Sequence, residues 1–270
     1  MMRPARKPLD EMLELARSLR AASGERAPAT LLPAVLRRVG LADTYWRLES
    51  PIGPVYVAHS KAGISMVTRA KSAEDFERAF RRRHGRSLLR AKSVPPSSVR
   101  ALIRNLKGRG RLELRFDLRG LSEFERAVLM KALEIPQGEV RPYSWIAKEI
   151  GHPEAVRATG SALAKNPVPL LIPCHRVVRS DGHIGEYSLG GPRVKRALLE
   201  VEGAEPEMLE RLAASGVRYL GNERGRHFCY PTCGGIRTLV RDNRVRFASA
   251  REAVAAGYHP CADCRPALAS

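Results

Sequence analysis

The sequence predicts a mixed α/β (α+β) protein in which a helical extension precedes a small sheet domain, a helix-turn-helix domain and a small C-terminal metal-binding module. Three observations predict it. Apolar residues alternate with period two from 43 onward, the pattern of half-buried strands. Two short helical patterns flank Gly151-His152, which suits a helix-turn-helix. Four of the five cysteines fall in two close pairs near the C-terminus.

Residues 8–21 place Leu9, Met12, Leu13, Ala16 and Leu19 on one stripe, so an amphipathic helix is expected there. A second apolar stretch follows at 31–41, and residues 1–42 together read as an extension that packs on the body. From 43 to 120 the chain reads as the sheet domain. The runs from Thr44, Val55 and Ile64 are separated by Pro51-Ile-Gly-Pro and Lys61-Ala-Gly, the punctuation of a strand meander. A helix is predicted from Ala73 to Arg83, ending in the charged run Arg81 to Arg86, whose default place is solvent. Val94-Pro-Pro-Ser-Ser breaks the chain before a predicted helix at 97–106, and Arg111 to Asp117 alternates as one more strand.

Residues 121–205 form the next unit. A helix over 121–135 is expected with Ser122 as its cap and Glu125 at the capping-box position, stopped by Pro136-Gln-Gly. The helix-turn-helix then comprises 144–150, the turn, and a second helix from Pro153 to Lys165 that is rich in alanine and glycine. Such small residues permit either tight packing or close approach to a DNA groove. The run Asn166 to Arg176 carries prolines at 167, 169 and 173, which predict a stiff, extended support for Cys174 and His175. A cysteine beside an imidazole becomes a nucleophile when a carboxylate stands behind the ring; without one, the pair is a buried small residue and a satisfied histidine. Beyond it, Arg176 to Arg179 reads as a strand, Ser180-Asp-Gly-His as its turn, Tyr187 to Pro192 as a glycine-rich loop, and Arg193 to Val201 as a helix.

Composition narrows the partners. There are 47 Lys+Arg against 28 Asp+Glu, a net charge of +19, which favours a polyanion such as nucleic acid. No run approaches the roughly 18–20 apolar residues of a membrane span. The N-terminal residues lack an apolar signal core, so a cytoplasmic, nucleoid-associated protein is expected, nuclear in a eukaryote. In such a reducing compartment Cys229, Cys233, Cys261 and Cys264, spaced C-x3-C, 27 residues, C-x2-C, read as a zinc site, leaving Cys174 as the free thiol. The module is placed at 206–270.

Pro173-Cys-His-Arg-Val-Val, preceded by Arg157-Ala-Thr-Gly and Asn166-Pro-Val-Pro and followed by Gly185-Glu-Tyr-Ser and Leu198-Leu-Glu-Val-Glu-Gly, resembles the O6-alkylguanine-DNA alkyltransferase family over about 43–205. The resemblance implies single-turnover transfer of an alkyl group from O6 of guanine in double-stranded DNA to Cys174, by a monomer that needs no organic cofactor. It implies that Glu202 holds His175, which through a water deprotonates Cys174 and lowers its pKa; Glu200 is the rival carboxylate. Tyr143 would donate to the leaving base, and Asn166 would brace the turn. Arg157 would fill the stack vacated by a flipped base, with Ala158 beside it in the groove, and Tyr187 and Ser188 would line the pocket. The loop around Leu189-Gly190-Gly191 is longer than the family's by one residue. Cys229-Tyr-Pro-Thr-Cys with Gly257-Tyr-His-Pro-Cys-Ala-Asp-Cys is similar to the metal-binding domain of Ada. That resemblance leaves two roles open for Cys229, zinc ligand alone or also acceptor of phosphotriester methyl groups. The alternatives to repair are a damage sensor or regulator led by the zinc module, and a cysteine hydrolase built on Cys174 and His175.

Overall fold

The computed structural model describes residues 12–18, 28, 31–91, 114–239 and 243–267. Within the extension, 12–18 (α1) and Leu31–Arg38 (α2) are helical. The predicted meander forms as β1 (Ala42–Ser50), β2 (Gly53–Ser60) and β3 (Gly63–Thr68), in a sheet ordered β3-β2-β1-β4 with β4 (Ser87–Arg90) parallel to β1. Period two sorts the side chains of these strands between two faces. Tyr45, Ala58 and Met66 pack with Phe76 and Phe80 of α3 (Ala73–His84), while Trp46, Leu48, Val55, Val57 and Val67 join the main core. Ser72 caps α3 by accepting from the Asp75 N–H, and Gly85, at φ 63°, ends it.

The expected strand at 111–117 is reduced, among the described residues, to a single bridge between Phe116 and Ile64. This segment runs so close to Gly63 that a Cβ there would lie 2.2 Å from the Arg115 carbonyl oxygen, a reason for glycine at 63. The helix expected at 97–106 lies outside the described residues.

The helix-turn-helix consists of α5 (Tyr143–Glu149) and α6 (Val156–Ala164), packed on α4 (Glu123–Ala132). The capping box of Ser122 and Glu125 is present as expected. Helix α6 starts three residues later than predicted. Pro153 and Glu154 lie in a turn instead, where a fixed proline φ is well accommodated. The strand expected over 176–179 shrinks to β6 (Val177–Val178), parallel to β5 (Arg141–Pro142), because Cys174–Arg176 curl into a 3-10 turn. Helix α7 spans Gly191–Val201, two residues longer at its start than expected, since Pro192 is favourable in a first turn.

Helix α8 (Pro206–Ala214) packs Leu209 against Val140, Val178, Ile184 and Leu199. A second sheet, ordered β10-β8-β7-β9, is built from β7 (Tyr219–Asn222), β8 (His227–Cys229), β9 (Arg244–Phe247) and β10 (His259–Pro260). Between them lie the short helices α9 (Gly234–Arg237) and α10 (Ala250–Ala255). The four C-terminal cysteines, Leu220, Tyr230 and Ile236 share one buried cluster with Trp145, Ile146 and Cys174. No helix of the described residues is long and apolar enough to cross a membrane.

Candidate active site and metal centre

The proline-rich run does not simply extend toward Cys174. It turns back on itself at Leu170, whose φ of 75° is rare for a branched side chain and costs of order 1–3 kcal/mol. Asn166 offsets that strain. Its Oδ1 accepts from the Val168 N–H at 2.9 Å, and its Nδ2 donates to the Ile172 carbonyl at 3.0 Å and to Cys174 Sγ at 3.2 Å. Cys174 is 7% exposed. Burial pushes its thiol pKa up, against the pull of the Asn166 hydrogen bond and the Lys195 charge. The lowered thiol pKa expected from sequence is therefore corrected: taking a thiolate out of water costs more than these neighbours return.

His175 is buried, and its Nε2 lies 2.8 Å from Glu202 Oε1. Glu202 also accepts from Arg176 Nε and Nη2, each at 2.8 Å. Burial pushes the Glu202 carboxyl up, but these bonds and charges outweigh it and bring it down to about 2. Burial lowers the His175 pKa despite Glu202, so the ring is held neutral. A carboxylate facing Nε2 selects the tautomer protonated there, leaving the Nδ1 lone pair free to accept a proton. Nδ1 is buried with no hydrogen-bond partner among the described residues. The rival Glu200 is exposed on the outer face of α7.

Cys174 forms part of a cleft of about 250 Å³ whose wall includes Tyr143, Gly160, Leu163, Tyr187 and Ser188. Tyr143 opens α5, and burial, followed by the proximity of Cys174, raises its pKa, which keeps the phenol protonated as a donor. Tyr187 is buried edge-on to the His175 ring, 6.0 Å between centroids, whereas Ser188 is exposed. On α6 the side chains of Thr159, Ala162 and Leu163 point inward. Arg157, Ala158, Ser161 and Ala164 face solvent, presenting a helix face of small residues with one arginine in its first turn.

One residue of this site escaped the sequence reading. Lys195 is fully buried in α7, donating to the carbonyls of Val177 and Ile184 at 2.6 Å and of Glu186 at 3.2 Å, and burial brings its pKa down to about 8. It ties the loop carrying Tyr187 to the strand after Cys174. The signal was its spacing: Lys195 falls three and four residues before Leu198 and Leu199, on the apolar stripe.

The four C-terminal sulfurs all lie within 4.8 Å of one another and are buried. Tetrahedral zinc with Zn–S near 2.3 Å places ligand sulfurs about 3.8 Å apart, so the donor set fits the metal in number, chemistry and spacing. Cys229, closing β8, has no exposed surface.

Fold and site together define a helix-turn-helix protein with a buried thiol, an adjacent imidazole held by a carboxylate, and a four-thiolate zinc site. Residues 123–204 match the family described as 6-O-methylguanine DNA methyltransferase, DNA binding domain, and 210–267 match the metal binding domain of Ada. The methylated-DNA–protein-cysteine methyltransferase of Methanosarcina acetivorans is 35% identical over 170 residues, 59% of this chain and 98% of that protein. The Rattus norvegicus enzyme of that name is 54% identical over 81 residues, 30% of this chain and 39% of the relative, so the chain spans about two fifths of that relative's length. A crystal structure of Mycobacterium tuberculosis O6-methylguanine methyltransferase superposes with a TM-score of 0.50 at 32% identity, over 59% of this chain and 92% of that one. The chain belongs to the methylated-DNA–protein-cysteine methyltransferase family.

Proposed function

We propose that the chain repairs DNA by moving an alkyl group from O6 of guanine to Cys174, once per molecule. The observation that supports this best is one buried thiol opening on a cleft that a protonated tyrosine also lines, with a carboxylate-backed imidazole on the next residue. A buried sulfur cannot reach a base inside a duplex, so the nucleotide has to be extruded into the cleft. The small outer face of α6 enters a groove, with Ala158 close to the backbone and Arg157 in the stack the base leaves. The basic surface supplies the sequence-independent grip. Tyr187 and Ser188 line the pocket around the base.

In the chemical step His175 Nδ1 takes the thiol proton through a bridging water, while Asn166 and Lys195 stabilise the growing thiolate. The sulfur attacks the alkyl carbon, an S–C bond forms and the C–O6 bond breaks. Its electron pair passes to the guanine ring, which takes a proton from Tyr143. A donor so placed accelerates proton transfer by roughly 10²–10⁴. The high thiol pKa fits this order, since the thiol stays neutral and unreactive until substrate reaches the relay. The thioether that results is a stable C–S bond that no step of this chemistry breaks, so each chain acts once.

The zinc module serves as a structural element. Enclosure of Cys229 favours the ligand-only role over a second acceptor for phosphotriester methyl groups. The test is stoichiometric. Excess duplex carrying labelled O6-methylguanine is expected to load one methyl per chain and then stop. Continued turnover would overturn the reading, and a second methyl originating from phosphotriesters would restore the dual-acceptor alternative.

A further inference from the structure

The two metal loops extend beyond their own module and grip the helix that carries Tyr143. The first loop, 229–234, meets the chain just before α5. There the Val140 N–H donates to Thr232 Oγ1 at 2.8 Å, and the Gly234 N–H donates to Glu139 Oε1 at 3.0 Å. Glu139 also accepts from Arg141 at 2.5 Å, whose guanidinium lies 5.6 Å from the Tyr230 ring and 5.8 Å from that of Trp145 in α5. The second loop, 261–266, meets the far end of the same helix. Arg265, directly after Cys264, pairs with Glu149 at 2.9 Å and Glu134 at 3.5 Å, and Lys148 donates to the Pro266 carbonyl at 3.4 Å.

A third contact reaches the relay itself. Arg237 in α9 donates to the carbonyls of Gly138 and Gly203, at 3.3 and 3.5 Å, and Gly203 follows Glu202. Gly138 has φ 74°, and a Cβ there would lie 2.7 Å from the Glu202 carbonyl oxygen, so the two turns are packed too closely for any side chain between them. Segment 139–141 is thus gripped from the module, while β5 pairs with β6 directly after the Cys174–Arg176 turn, and Tyr143 follows β5 at once. Movement of that segment shifts the phenol and the strand behind the thiol together.

We propose that the metal loops are a positioning device for the acceptor cysteine: with their four thiolates gathered they fix α5, and through it Tyr143, against Cys174. This rests on the alkyl-transfer reading above. Thr232 and Arg265 are its positioning residues, since neither belongs to the cleft. Loss of the loops strands the buried Val140 N–H, an unsatisfied donor that resists burial, and leaves Glu139 held by Arg141 alone. The zinc site then governs how fast the thiol reacts, and anything that opens it slows repair at a distance.

The test compares Thr232→Val, which deletes the hydroxyl and no ligand, with Thr232→Ser, which keeps it. Zinc content, affinity for methylated duplex, single-turnover transfer rate and amide hydrogen exchange are measured on the full chain. Thr232→Val is expected to keep one zinc per chain and the parent's DNA affinity, to exchange faster over 140–146 and 174–178, and to transfer about tenfold more slowly, the scale of one hydrogen bond. Thr232→Ser is expected to recover both the rate and the protection. Arg265→Ala, at the opposite loop, carries the same expectation should Thr232→Val fold poorly. Parent-like rate and exchange in a zinc-loaded variant would overturn the proposal. A parent chain that transfers no methyl to Cys174 would instead defeat the alkyl-transfer reading, and the exchange data would still decide whether the loops fix α5.

Discussion

Replacing Glu202 with glutamine keeps the shape of the side chain and removes its charge. The carboxylate accepts from His175 Nε2, Arg176 Nε and Arg176 Nη2, all at 2.8 Å, and its pKa falls from 4.5 to about 2. At about 1.4 kcal/mol for each tenfold, that depression is worth roughly 3 kcal/mol of folded-state stability at neutral pH. The figure agrees with the 3–5 kcal/mol typical of breaking one partner out of a buried ion pair. Because the folded pKa is depressed, the contribution is present above the ordinary value of 4.5 and is lost as pH falls toward about 2. Urea unfolding at pH 7 is therefore expected to show Glu202→Gln weaker by about 3 kcal/mol, with the gap to the parent closing as the pH is taken from 5 to 3. Transfer should slow as well, because Nδ1 loses the carboxylate that makes its ring a better base. A gap below about 1 kcal/mol at pH 7, or one that does not shrink in acid, would refute the assignment of Glu202 as the anchor of the relay.

Three further outcomes follow from the same geometry. Tyr143→Phe is expected to fold normally and to lower the single-turnover rate by about 10²-fold, as read by transfer from O6-methylguanine duplex. Burial holds the Cys174 thiol in its neutral form, so its alkylation by iodoacetamide is expected to keep rising with pH beyond the range of an ordinary thiol near 8.5; the matching stability is present below that value and lost as the pH climbs through the folded pKa. Arg157→Ala is expected to reduce repair of duplex by roughly tenfold while repair of the free modified base changes little, because only the duplex requires a few kcal/mol of unstacking.

Local patterns were readable wherever chemistry and spacing act over a few residues. The meander, the capping box at Ser122 and Glu125, the two helices around Gly151 and the gathering of four cysteines all follow from nearest-neighbour rules. The family resemblance already chose Glu202 over Glu200, and the buried face of α7 agrees, since Glu202 meets His175 while Glu200 is exposed. The thiol pKa was misread because adjacency of Cys174 and His175 in sequence says nothing about desolvation, which dominates once the turn is enclosed. Lys195 was hidden because a lysine in a basic run reads as solvated until its three carbonyl partners, from segments up to 18 residues away, are in place. The late start of α6 reflects a competition that short-range propensity does not resolve, between a proline-initiated helix and a turn that sets the angle of the second helix.

The central claim is that Cys174 accepts the alkyl group. Incubating the full chain with duplex DNA containing a single O6-methylguanine, then digesting it and mapping the added mass, tests that claim directly. The account predicts an addition of one methyl group on Cys174, guanine restored in the DNA, and no transfer by Cys174→Ser. A methyl on any other residue, or an unmodified Cys174 after guanine has been restored, would contradict it.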